Sequence, residues 1–343
     1  MTVAVDVPGT SGSPRESETL IDVRGLHVVY GVARPVHGVD GIDLAIRAGE
    51  IVGLAGESGC GKTTVASAIL QIVRPPGRIT GGSIRFRGQE ITGLGKEELR
   101  KFRWRNVSMV FQSAMNALNP VLRVGTQFVD MMQAHERVSR GKALDRAREL
   151  LELVGIDPRR VDSYPHQLSG GMRQRVIIAM ALALEPELVI MDEPTTALDV
   201  VIQREILQQI QDLQRERGFA VLFITHDLSL LLEVADRIAI MYAGEIVELS
   251  RSSALRDAPE HPYTVGLIES FPPLSGPRSR LTGIPGTPPD LGEPQVGCRF
   301  KARCPYHTPD DAKLYDRQNT ERPVLREIAP GHFVACHKVV AQT

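Results

Sequence analysis

No stretch of this chain is apolar for the ~20 residues that a membrane-spanning helix needs. The longest runs, Val176–Leu184 and Leu188–Met191, are cut apart by Glu185, Pro186 and Glu187. Any membrane association must therefore run through a partner. The N-terminus lacks a basic region followed by an apolar core, so no secretory signal is expected. An excess of one charge is missing too. The 40 Lys and Arg are matched by 41 Asp and Glu, which leaves no electrostatic footprint for nucleic acid. Cysteine is scarce, with four in 343 residues and one of them inside a glycine-rich loop. That usage points to a reducing compartment. What remains is an ordinary soluble globular composition, in a length that suggests two domains or one large domain with an appendage.

The stretch Ile51–Thr64 organises the rest. An apolar run (Ile51, Val52, Leu54, Ala55) reads as a buried strand. It ends at Gly56, and Gly59 and Gly61 bend the chain before a helix that starts near Lys62. Gly56, Gly61, Lys62 and Thr63 complete the pattern G-x-x-x-x-G-K-S/T. A polyphosphate needs many N–H donors converging on one point, and glycines let the backbone approach. The helix that follows adds its free N–H groups and its dipole. Lys62 brings a mobile charge for the β- and γ-phosphates, and the Thr63 hydroxyl is placed to ligate Mg2+. Ser58, Cys60 and Thr64 belong to the same cradle. Cys60 sits at a variable position where any small residue fits, and alkylating it is expected to block ATP by bulk.

Residues 1–18, rich in Thr, Ser, Gly and Pro, are expected to form a disordered tail. Leu20–Tyr30 alternates as a half-buried strand with Leu26, Val28 and Tyr30 on one face. Gly41–Ile46 and Ser83–Phe86 read as further short strands. Tyr30 is either an ordinary strand tyrosine or a platform for an adenine ring. Residues 96–186 are mostly helical, with one amphipathic helix over Gly141–Val154 stopped by Gly155 and Pro158. Before it, Met109-Val110-Phe111-Gln112 ends a strand, followed by a loop with Asn116, Asn119 and Pro120. Leu168-Ser169-Gly170-Gly171 opens a helix capped by Ser169, a second anion site whose two glycines a bland helix would not carry. Leu188–Met191 is a continuous apolar strand ending in Asp192 and Glu193. Such a run suits a central parallel strand, whose carboxyl end is where ligands sit in open α/β sheets. Asp192 is placed for the Mg2+ shell, and Glu193 to polarise a water. Ala197-Leu198-Asp199 follows, and Ala220–Thr225 is another buried strand ending at His226.

These pieces together resemble the nucleotide-binding subunits of ABC transporters: the phosphate loop (Gly56–Thr64), a glutamine loop (Gln112), the signature L-S-G-G-M-R-Q-R (Leu168–Arg175), Asp192 with Glu193, the Asp199 loop and the His226 switch. Met172 stands where many members have Gln. The resemblance covers about residues 20–255 and implies an α/β P-loop NTPase: a RecA-like core with an antiparallel β subdomain and an α-helical subdomain near 103–186. It implies ATP and Mg2+ as cofactors, with Gln112 in the Mg2+ shell beside Thr63 and Asp192. Glu193 is then the general base, and Gln112 and His226 act with it. It also implies head-to-tail pairing with a second ATPase subunit, for which a related, non-identical chain is favoured over an identical copy. Ser169, Gly170, Gly171 and Asp199 would serve the composite nucleotide pocket. Closure would drive two transmembrane permease subunits, gripped near Gln112.

After Ser250 proline becomes frequent, which suggests a looped extension laid over a surface, about residues 256–343. His261–Ile268, Ile284–Leu291, Cys298–Tyr306 and Cys336-His337 resemble the tail of the oligopeptide/dipeptide (and nickel) importer ATPases. That resemblance implies uptake of di- or oligopeptides delivered by an extracytoplasmic binding protein, at the cytoplasmic face of the membrane. Nickel or another small solute is the alternative cargo. A soluble ABC ATPase acting on nucleic acid or ribosomes is the rival class, disfavoured by a single cassette with no heptad run. Similar importers carry four cysteines in this tail, suited to a 4Fe–4S cluster. Here Asp311 stands in the third position, beside Cys298, Cys304 and Cys336. The readings are a three-thiolate cluster with Asp311 or solvent as fourth ligand, zinc completed by His307, His332 or His337, or three free thiols.

Overall fold

The computed structural model describes residues 18–112, 117–195, 199–270 and 283–339. The expected N-terminal tail up to Ser17, Asn116, Ala197, Leu198 and the prolines Pro272, Pro273 and Pro277 lie outside the described residues.

The main sheet has eight strands in the order β11-β12-β10-β9-β3-β8-β7-β6. Its parallel centre consists of β3 (Ile51–Ala55), β6 (Val107–Val110), β7 (Leu188–Asp192), β8 (Ala220–Thr225) and β9 (Arg237–Tyr242). The physical basis is the unbroken apolar run of each central strand. With period-two alternation, a strand that is apolar at every position feeds two cores at once. Val189 and Met191 of β7 enter the core under the helical side, while Leu188 and Ile190 enter the one under the antiparallel sheet. Val221 and Phe223 of β8 alternate in the same way with Ala220, Leu222 and Ile224.

The second sheet, ordered β2-β1-β4-β5, is antiparallel. It comprises β1 (Thr19–Tyr30), β2 (Val36–Arg47), β4 (Arg78–Phe86) and β5 (Gln89–Glu90). The first three strands contain and extend the short strands read from the sequence, and β1 carries bulges on both sides. The helical region packs α3 (Val124–His135), α4 (Arg140–Leu153) and α5 (Gly170–Leu182) on the first core. β6 is the strand whose end is legible at Met109 and Val110 inside the otherwise helical span, and it pairs in parallel with β7 as a strand of the main sheet.

The extension is more than a surface loop. Antiparallel β10 (Glu245–Arg251) passes the sheet on to β12 (His332–Val334), which pairs with β11 (Arg326–Ala329). Cys298 and Phe300 are part of the main hydrophobic core. A charged anchor fixes the same segment. Arg322 reaches Glu245 at 2.8 Å and Asp40 at 3.1 Å, while Arg299 bonds Glu245 at 2.9 Å and also meets Asp40. The buried carboxylate of Glu245 and the part-buried one of Asp40 are thereby matched by guanidinium groups, the condition under which a buried charge is tolerable.

Candidate active site

The phosphate loop leaves the carboxyl end of β3 and closes into α1 (Lys62–Ile69). Its turn depends on two glycines in the left-handed region. A Cβ at Gly56 (φ 152°) would lie 2.1 Å from the Met241 carbonyl oxygen, and one at Gly61 (φ 108°) 2.1 Å from that of Gly38. Ser58, Gly59 and Thr63 are exposed on the rim. The Lys62 ammonium is gathered by the loop itself, donating to the carbonyls of Gly56 (2.7 Å) and Glu57 (2.9 Å) and lying 3.7 Å from Cys60 Sγ. Cys60 is buried, and burial raises its thiol pKa despite the nearby ammonium. The thiol is therefore a packed interior group and a poor target for alkylation. Tyr30 hydrogen-bonds Thr64 through its hydroxyl (3.2 Å), with its ring edges close against Gly38 and Gly77.

Three polar side chains converge at the ends of β6, β7 and β8. Gln112 Nε2 donates to Glu193 Oε2 (2.9 Å), and His226 Nδ1 lies 3.2 Å from Glu193 Oε1. Glu193 follows directly after β7, and its N–H donates to the Ile224 carbonyl of β8 at 2.8 Å. Its backbone sits at φ 48°, the left-handed region that a glutamate enters only at a cost. The neighbouring Asp192 is 1% exposed. Burial pushes its carboxyl up, against a hydrogen bond from Thr63, and the charge of Glu193 pushes it further in the same direction. Asp192 Oδ2 is buried without a hydrogen-bond partner. A desolvated carboxylate oxygen beside a threonine hydroxyl is a donor set that fits a hard divalent cation, so Thr63 and Asp192 fit Mg2+.

The glycine pair forms the first turn of α5, as its sequence implies, with Ser169 Oγ accepting from Met172 N–H at 3.2 Å. Asp199 accepts from Ile202 N–H (3.0 Å) and so caps α6 (Val200–Arg217). The sequence reading missed that helix, although Ile206, Leu207, Ile210 and Leu213 repeat at helical spacing before Gly218.

Neither metal reading of the cysteine tail finds an assembled ligand set among the described residues. Among the described residues no group of three or more His, Cys, Asp or Glu side chains is arranged to hold a metal ion. Cys298, Cys304 and Cys336 are free thiols that sense one another electrostatically. Burial pushes Cys298 up to about 12, which keeps it a neutral thiol. Asp311 caps α10 (Ala312–Thr320) by accepting from Leu314 N–H at 3.0 Å. Cys304 Sγ accepts from Gln318 Nε2 at 3.5 Å, and His307 is bonded to Gln318. As arranged, these residues do not fit a four-ligand site.

A glycine cradle, a lysine, an adjacent buried carboxylate and a polar cluster on the same sheet edge define a P-loop ATPase. The ABC transporter family matches residues 39–196, and the oligopeptide/dipeptide transporter C-terminal region matches residues 247–310. The chain is 45% identical to a probable peptide ABC transporter ATP-binding protein of Sinorhizobium fredii, over 94% of this chain and 95% of that one. It is 42% identical to the oligopeptide transport ATP-binding protein OppD of Bacillus subtilis (92% and 87% covered). It is 41% identical to the dipeptide transport ATP-binding protein DppD of Escherichia coli (93% and 96%). Among solved structures, the dimeric ATP-binding cassette MJ0796 with ADP and Pi superposes with a TM-score of 0.61, at 28% identity over 68% of this chain and 99% of that one. The chain belongs to the ATP-binding proteins of ABC transporters.

Proposed function

We propose that this chain hydrolyses ATP to power uptake of di- and oligopeptides, as a peripheral subunit on the cytoplasmic face of the membrane. The observation that carries the reading is the Gln112–Glu193–His226 cluster on the sheet edge that also carries the phosphate loop. Lys62 and the loop N–H groups bind the β- and γ-phosphates. Thr63, Asp192 and Gln112 would hold Mg2+, which supplies charge neutralisation at the phosphoryl oxygens. Glu193 accepts the proton of the attacking water, with its two oxygens oriented by Gln112 and His226. His226 then reports the γ-phosphate to the rest of the fold. Ser169, Gly170 and Gly171, with Asp199, serve the nucleotide of a paired, related ATPase subunit. Residues 19–255 form the nucleotide-binding domain, with a helical subdomain near 103–186, and 256–343 the extension.

The partners of this reading are two membrane permease subunits and a peptide-binding protein acting through them. The names of the relatives favour peptides over nickel as cargo. Purification of the chain from its native membranes tests the assignment. Hydrophobic permease subunits should co-purify, and ATPase activity should rise with peptide-loaded binding protein. Retention of RNA or ribosomes in place of permeases would overturn it.

The electrostatic influence of Cys304 and Cys336 on Cys298 supports a second reading of the tail, a 4Fe–4S cluster on the three thiolates with Asp311 or solvent as fourth ligand, formed only after rearrangement of the described residues. Anaerobically purified protein should then be brown and contain about four irons per chain. A colourless, iron-free sample removes the cluster and leaves zinc, or free thiols.

A further inference from the structure

The extension reaches into the phosphate loop. Glu57 follows Gly56 directly, and an acidic side chain inside a polyphosphate cradle opposes the anion it must hold. The fold neutralises it. Arg303 grips the carboxylate as a two-pronged fork, Nη1 to Oε2 at 2.8 Å and Nη2 to Oε1 at 2.9 Å. The Arg303 side chain is 4% exposed. It is itself fixed by donation to the Pro285 carbonyl (2.8 Å) and by the Tyr242 ring 5.7 Å away. The backbone of Glu57 is held as well. Its N–H donates to the Tyr263 hydroxyl (2.9 Å), and its carbonyl accepts from Lys62 Nζ (2.9 Å). One residue of the loop thus connects the extension, through Arg303 and Tyr263, to the ammonium that meets the nucleotide.

We propose that Arg303 is a positioning residue for ATP. Through Glu57 it cancels a negative charge inside the cradle and fixes the carbonyl that holds Lys62. The extension is in this way part of the nucleotide site. The inference rests on the phosphate loop being the ATP site.

The test measures the MgATP dependence of hydrolysis by the assembled transporter, at low and high salt. Arg303→Ala should raise KM for MgATP about tenfold or more, the worth of a lost charge-assisted fork. The rise should shrink with salt, because it comes from an uncompensated charge. Removing that charge in the same background, as Arg303→Ala with Glu57→Gln, should bring KM back most of the way. A purely structural role for Arg303 would not produce that rescue. Arg303→Lys keeps the charge and loses the fork, so it should give an intermediate KM, and it serves if the alanine variant fails to assemble. An unchanged KM in either single variant, or no recovery in the double variant, overturns the proposal. Failure of the parent reading looks different: wild-type complex would then hydrolyse no ATP, or Lys62→Ala would leave its hydrolysis intact.

Discussion

Glu193→Gln is expected to lower ATP turnover by roughly a hundredfold to a thousandfold while leaving nucleotide binding in place. The substitution keeps the side-chain length and the oxygen that accepts from Gln112 Nε2, so the cluster need not rearrange. What it removes is proton affinity at the position next to the attacking water. The backbone at φ 48° supports this assignment. A strained glutamate after a buried strand persists only where the surrounding structure over-determines it, and here both carboxylate oxygens and the N–H are held. The measurement is single-turnover hydrolysis in a complex whose partner ATPase has lost its own base, together with equilibrium ATP binding. Turnover within a few-fold of wild type would show that the proton leaves by another route. Loss of binding in step with turnover would make Glu193 a structural residue.

The parts of this site that were legible in the sequence are those built from neighbours along the chain. Gly56, Gly61, Lys62 and Thr63 lie within one short stretch of chain, and their chemistry follows from spacing alone. Ser169 before two glycines announces a capped helix, and the cap is present. The apolar run Leu188–Met191 announces a strand covered on both faces, and it is. The convergence of Gln112, Glu193 and His226 was harder. Their separations of 81 and 33 residues are bridged only by parallel pairing of β6 with β7 and β7 with β8. No local pattern encodes that pairing; the family resemblance supplied it. The Arg303–Glu57 fork spans 246 residues and had no sequence signal at all. An Arg between two cysteines, one of two there with Arg299, reads as part of a cysteine motif, and a Glu within the phosphate loop reads as a tolerated variable position. The extension's two added strands were missed for a related reason. Proline frequency advertises loops, whereas β12 has only three residues and forms because β10 offers it an edge.

Acidification is expected to loosen the extension before the cassette, and His261 sets the window. This histidine is 2% exposed and caps α9 (Pro262–Glu269), its Nδ1 accepting from Tyr263 N–H at 3.0 Å. Burial lowers its pKa to about 4, and the nearby Glu248 carboxylate opposes the shift without cancelling it. Glu248 is already engaged by the N–H groups of Glu260 and His261 and by His332 Nε2 at 2.7 Å. The sign follows from linkage. The folded-state pKa is depressed below the unfolded one, so between about pH 6.5 and 4 the unfolded chain binds a proton that the folded chain refuses. Stability from this group is fully present above pH 6.5. It falls by about 2 kcal/mol by pH 5 and about 3 kcal/mol by pH 4. Other carboxylates titrate in the lower part of that range, so the diagnostic is a variant. His261→Asn keeps a helix-capping oxygen and removes the titration. It should be less stable at neutral pH, because the ring packed against Phe300 is lost, yet show a flatter decline towards pH 5. Hydrogen exchange of α9 and β12, followed from pH 7.5 to 5 with intrinsic rates corrected, measures both. Equal slopes in the two proteins would remove His261 as the cause. Because Tyr263 follows His261 by two residues and holds the Glu57 N–H, the same titration should reach the phosphate loop: ATP affinity should weaken over the window in which α9 loses protection.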